Sequence, residues 1–171
     1  MNILWIVLLL VAAQRLAELV YARRNTRRLL EEGARESGAG HYPLLVGLHV
    51  LWLAALALLV PPETAPNWSL LAVFAVLQCL RIWVLASLGR YWTTRIITLP
   101  GAALVRRGPY RFLRHPNYLV VAGEILVLPL AFGAWEIAVV FSLANAAILA
   151  FRIRCEERTL EPRRSSGQTA R

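Results

Sequence analysis

Apolar runs long enough to cross a bilayer alternate along this chain with short stretches crowded with arginine. The first run, Ile3 to Val20, is mostly apolar, with Gln14, Arg15 and Glu18 interrupting its second half. Arg15 and Glu18 are i, i+3 neighbours, which predicts a neutralised structural pair on one helical face. Next comes YARRNTRRLLEEGARESGAGHYP, where charges alternate with Leu29 and Leu30. It predicts a short surface helix ending near Gly38 to Gly40 and lying on the cytoplasmic lipid face. A helix from Leu44 to Val60 closes at Pro61-Pro62, and another runs from Trp68 to about Leu88. The latter carries Gln78 and Arg81, and the arginine must snorkel or face protein. Tyr118 to Phe132 and Trp135 to Phe151 form a hairpin around Gly133. Glu124 and Pro129 suggest that its first arm is kinked or packed against protein. The last helix should continue through Leu160 and stop at Pro162.

The pattern predicts an all-α, polytopic integral membrane protein with about five transmembrane helices, four being the alternative. Residues 1–161 make one domain and 162–171 a disordered tail. Arginine placement sets the orientation: five fall between the first two spans, six between the third and fourth, and six from Arg152 onward, while PPETAPN and the GAWE turn have none. By the positive-inside rule the basic segments are cytoplasmic, so five spans place the N-terminus outside, in a bacterial inner membrane.

Composition sharpens this picture. A chain of 171 residues that is 58% hydrophobic yet carries a net charge of +9 is unusual for a soluble domain. No nucleic-acid module is present, so the charge reads as topology and attraction to anionic lipid. Met1-Asn2 offers no positive n-region for a cleaved signal peptide. Cys79 and Cys155 should be far apart and reduced, and neither has the partners of a metal site.

The densest chemistry lies in LVRRGPYRFLRHPNY, Leu104 to Tyr118. Gly108-Pro109 enforces a turn, and Pro116 disfavours helical geometry at His115 while suiting the first position of the helix that follows. Tyr110, Arg111, Arg114, His115, Asn117 and Tyr118 crowd into nine residues. A second cluster, Arg152-Ile153-Arg154-Cys155-Glu156-Glu157, sits where the last helix leaves the membrane, with Arg152 and Glu156 at i, i+4. Either cluster alone is compatible with a charged membrane boundary. Two that face each other favour a cofactor site over that reading.

Leu104-Val105, Gly108-Pro109-Tyr110, Arg114-His115-Pro116-Asn117-Tyr118 and Arg152 with Glu156-Glu157 together resemble the isoprenylcysteine carboxyl methyltransferase family, over roughly the last half of the chain. RLAELVYARRN and HYP resemble the short bacterial branch often associated with type III polyketide synthases, whose members methylate long-chain alkylpyrones. The resemblance implies S-adenosylmethionine as cofactor, held between the 89–118 loop and the extension of the last helix. Leu104, Val105 and Tyr110 would line it, His115, Pro116, Asn117 and Tyr118 would continue that wall, and Glu156 would bind its polar part. Arg152 would position the acceptor oxygen. Arg114 would share that task or hold the loop through backbone carbonyls, and His115 suits the cofactor wall better than the role of base. No metal is implied.

The expected activity is O-methyl transfer to a lipid-like acceptor, an alkylpyrone enol or an isoprenylcysteine-type carboxylate. Such oxygens are largely ionised near neutral pH, so no strong base is needed. The acceptor's tail would enter sideways from the bilayer. Two other readings compete: an NADPH-dependent membrane reductase of related C-terminal architecture, and a non-catalytic scaffold whose arginines bind anionic lipid.

Overall fold

In the computed structural model the described residues are 2–37, 42–102 and 105–166. Five helices dominate: α1 (Ile3–Glu31), α2 (Tyr42–Leu59), α3 (Trp68–Leu88), α4 (Pro116–Ala131) and α5 (Trp135–Ser166). Two three-residue strands, β1 (Arg35–Ser37) and β2 (Ile96–Thr98), pair antiparallel with Glu36 opposite Ile97. The chain is an all-α integral membrane protein. Three helices, α1, α3 and α5, are long and apolar enough to cross a bilayer, while α2 and α4 are shorter apolar helices. At 1.5 Å per residue, the 16 residues of α4 rise about 24 Å, short of a hydrocarbon core of about 30 Å.

Polarity is inverted relative to a water-soluble bundle. Leu58, Leu10 and Val140 are 81%, 65% and 61% exposed, while Glu18, Arg81, Glu124, Asn145 and Arg152 are buried. Lipid tails are as apolar as leucine, so aliphatic side chains gain little by leaving them, whereas charged groups must find protein partners. One apolar core joins Leu4, Leu8 and Val11 of α1 to Trp52 and Leu56 of α2, Phe74 of α3 and Ile125 and Leu128 of α4. A smaller cluster of Ala22, Val84 and Trp92 lies toward the arginine-rich end, with Tyr110 packed against it. At the opposite end the two connections are clasped, the Asn67 amide donating to the Ala131 carbonyl at 2.7 Å.

Between the two clusters lies a buried charge network. Arg81 grips Glu18 through Nε and Nη2 at 2.6 and 2.5 Å, and its Nη1 reaches Glu124 at 3.1 Å. Arg15 bridges the same two carboxylates, at 3.1 Å to Glu18 and 2.6 Å to Glu124. Gln14 donates to Glu18 and Gln78 to Glu124. Two cations and two anions from α1, α3 and α4 thus cancel inside the bundle. The expected Arg15–Glu18 pair is present, Arg81 faces protein, and Glu124 explains why α4 packs against protein.

Three expectations are corrected. The first apolar run and the arginine-rich stretch form one continuous helix to Glu31, not a span followed by a separate surface helix. Residues 14–31 contain no glycine or proline, and the Arg15 and Glu18 charges are satisfied within the bundle, so nothing interrupts the backbone ladder. The helix ends at Gly33 (φ 90°), and the following residues, expected to be helical, supply β1. Finally, α5 passes through Pro162 to Ser166 instead of stopping there. Proline deletes one donor and crowds one carbonyl, a smaller loss within the last turns of a helix than at its middle. Residues 167–171 of the expected tail lie outside the described residues.

Candidate functional site

The segment between α3 and α4 is shaped by its attachments. Asn25 of α1, buried, donates from Nδ2 to the carbonyls of Gly89 and Trp92 at 3.1 and 3.0 Å. The β1–β2 ribbon fixes the next stretch, with Arg95 paired to Glu36 at 3.1 Å and Arg90 to Glu32. Arg107 returns the chain to α3 by donating from Nε to the Ser87 carbonyl at 2.7 Å. Gly108 then docks a 3-10 turn, Gly108–Arg111, onto the end of α3. Its φ is +57°, and a Cβ there would lie 2.1 Å from Ser87 Oγ, so only glycine fits. Proline at the first position of α4 ends the segment as expected.

At the head of α4, the rings of His115 and Tyr118 stack with centroids 5.3 Å apart and planes 13° from parallel. Arg152, 5% exposed, meets them from α5: Nε donates to the Tyr118 hydroxyl at 2.8 Å and Nη2 to the Thr94 carbonyl at 2.7 Å. Its Cζ lies 5.8 Å from the Tyr118 ring centroid. Two polar segments separated by an apolar hairpin therefore converge on one place. Buried polar atoms there that have no hydrogen-bond partner among the described residues include Arg152 Nη1 and Asn117 Oδ1. Buried donors and acceptors are normally paired, so such atoms mark where a polar ligand would be held.

The remaining expected site residues are placed as follows. Pro116 is buried, Tyr110 packs against the Ala22–Val84–Trp92 cluster, and Val105 is half-buried. Arg114 is exposed on the loop before His115. Leu104 lies outside the described residues, as does the side chain of Glu156, whose backbone continues α5 one turn beyond Arg152. The Thr94 carbonyl was not foreseen, because a backbone acceptor leaves no trace in residue identity. Beside it, an open groove of about 690 Å³ runs between Arg23, Thr26 and Arg27 of α1 and Thr94 and Arg95. Leu30 and Glu31 also line it, and two of its arginines are ion-paired, Arg27 to Glu31 and Arg95 to Glu36.

Comparisons with known proteins bear on what this arrangement does. Residues 70–162 match the family model described as isoprenylcysteine carboxyl methyltransferase (ICMT) family. The chain is 39% identical over 161 residues to the uncharacterized protein YpbQ of Bacillus subtilis (strain 168), covering 92% of this chain and 96% of that one. It is 27% identical over 154 residues to an uncharacterized protein of Haemophilus influenzae, covering 86% and 88%. No solved structure matches. The matched segment begins in α3 and holds the docked loop, the His115–Tyr118 stack and Arg152, so the chain belongs to the isoprenylcysteine carboxyl methyltransferase family of membrane methyltransferases.

Proposed function

We propose that this protein transfers a methyl group from S-adenosylmethionine to an ionised oxygen of a lipid-like acceptor at the arginine-rich, cytoplasmic end of the bundle. The observation that carries the reading is the junction of Arg152 with Tyr118 and Thr94, which leaves one guanidinium nitrogen buried and available. The residues fit the cofactor by their chemistry. The His115–Tyr118 stack offers aromatic face to a cationic or heteroaromatic group, and the Asn117 amide offers a buried acceptor. Val105, Tyr110 and Pro116 would complete the wall, and by the family resemblance Leu104 and Glu156 would belong to the same site. When bound, S-adenosylmethionine supplies an electrophilic methyl on sulfur.

The chain's own residues supply alignment and a dry setting. Tyr118 and Thr94 lock the Arg152 guanidinium, so Nη1 can orient an anionic oxygen without conformational cost at the moment of transfer. A pairing that gripped the oxygen tighter before transfer than during it would slow the reaction, so Arg152 positions and does not activate. Arg114, on the exposed rim, contributes to acceptor binding or loop order. The acceptor's apolar tail lies between helices and its head at the polar end. An alkylpyrone enol fits this arrangement best, and an isoprenylcysteine-type carboxylate is the next choice.

Two measurements test the reading. Detergent-solubilised protein should be stabilised against heat by S-adenosylhomocysteine and not by NADPH. Membranes incubated with radiolabelled S-adenosylmethionine and a panel of alkylpyrones and prenylcysteines should yield labelled, extractable lipid. Stabilisation by NADPH alone would favour a reductase, and no stabilisation by either would leave a lipid-binding scaffold.

A further inference from the structure

Seven polar or charged side chains are buried within the described residues, and in five of them no buried nitrogen or oxygen lacks a hydrogen-bond partner. The two exceptions lie on one helix: Arg152, through Nη1, and Asn145, 1% exposed, whose Oδ1 has no partner among the described residues. They are seven residues apart, so on α5 they share a face, with Cα atoms separated by a rise of about 10 Å. The Arg152 guanidinium is held by Tyr118 and Thr94, and Asn145 lies about two turns deeper along the helix. Leu149, also buried, lies between them on the same stripe.

An amide oxygen left without a partner inside a membrane bundle is costly. A leucine would fill this position at no such cost; Ala138 and Leu149 on either side are apolar, and Ser142, one turn away on the same face, also buries an Oγ that has no hydrogen-bond partner among the described residues. The charge network does not account for Asn145 either, because Glu18, Arg81 and Glu124 are satisfied by one another and by Gln14, Gln78 and Arg15.

Resting on the methyltransferase reading, we propose that Asn145 is a specificity-determining residue that recognises a second, uncharged polar group on the acceptor, deeper in the bundle than the oxygen held by Arg152. A side-chain amide both donates and accepts, so it suits a carbonyl, hydroxyl or amide. It carries no charge, so it does not favour a second anion. The acceptor class is therefore an amphiphile with an ionised oxygen at its head, a neutral hydrogen-bonding group within about 10 Å of that oxygen, and an apolar tail beyond. A plain fatty acid, whose chain is hydrocarbon from the carboxylate onward, would leave Asn145 unsatisfied.

The test uses the full-length protein in detergent, saturated with S-adenosylhomocysteine, and two probes: N-palmitoylglycine, which has an amide next to its carboxylate, and a saturated fatty acid of equal chain length. Affinities are read from ligand-induced thermal stabilisation. The protein should bind N-palmitoylglycine at least about tenfold more tightly than the fatty acid, and Asn145→Leu should bring the two within about twofold. Stabilisation by S-adenosylhomocysteine should be unchanged in Asn145→Leu. If the leucine variant fails to accumulate, Asn145→Ser should reduce the preference in the same direction. Equal affinities in the unmodified protein, or a preference that survives both substitutions, would overturn the role of Asn145. Absence of stabilisation by S-adenosylhomocysteine in the unmodified protein would instead reject the methyltransferase reading beneath it.

Discussion

Arg152 divides one guanidinium among three directions, and each can be tested separately. Nε and Nη2 are committed to Tyr118 and Thr94, while Nη1 is buried with no hydrogen-bond partner among the described residues and, on the proposed reading, holds the acceptor oxygen. Tyr118→Phe keeps the ring that stacks on His115 and removes only the hydroxyl. Affinity for S-adenosylhomocysteine should stay within about threefold. The kcat/KM for acceptor methylation should fall by about 10- to 100-fold, the worth of one hydrogen bond to a charged group. Arg152→Lys retains the charge but loses the planar fork that holds both Tyr118 and Thr94, so its loss should be larger. Steady-state methylation assays beside thermal-shift titrations of S-adenosylhomocysteine check both variants.

Among the helices, the four-charge network determines how α1, α3 and α4 sit against one another. Glu124 accepts from Arg15, Arg81 and Gln78, and it lies six residues along α4 from Tyr118. Removing it leaves an uncompensated buried cation, so Glu124→Leu should destabilise the bundle by about 3–5 kcal/mol. Adding Arg15→Gln to Glu124→Gln restores neutrality and should recover more than half of the loss suffered by Glu124→Gln alone, as measured by thermal unfolding in detergent. Part of this network was legible in the sequence: Arg15 and Glu18 stand one turn apart, and an arginine within a span has few options. The partnership of Arg15 with Glu124 was not, because 109 residues separate them and no local pattern encodes it. The bounds of α3 were clear because Asn67 caps one end through Ser69 and Leu70 while Gly89 terminates the other. By contrast, the change from apolar to charged residues after Val20 reads as a change of element, although the backbone continues unbroken. The three-residue strands carry too little periodicity to be seen at all. The His115–Tyr118 and Arg152 segments could be paired from their motifs, but the Thr94 carbonyl and the Asn145 amide emerge only from geometry.

Taken whole, the molecule divides unevenly between what the family model covers and what it leaves out. Residues 70–162 hold most of the candidate site, yet α1 contributes Arg15 and Glu18 to the network, Asn25 to the loop and one wall of the groove beside Thr94. The arginine distribution predicts the orientation of the assembly. With Cys79 and Cys155 replaced by serine, a single cysteine at Glu63 should react with an impermeant maleimide only from the outer face of oriented vesicles. One at Arg106 should react only from the cytoplasmic face. Labelling of both positions from the same side would reject the topology.

The distribution of charge among the helices also constrains biogenesis. Arg15 and Glu18 reach the translocon as a ready-made neutral pair on one segment, whereas α3 and α4 each arrive with a lone ion, Arg81 or Glu124, that lipid will not accept. The first helix carries a counter-charge for each of them, Glu18 for Arg81 and Arg15 for Glu124, so neither ion is left to lipid once it packs beside α1.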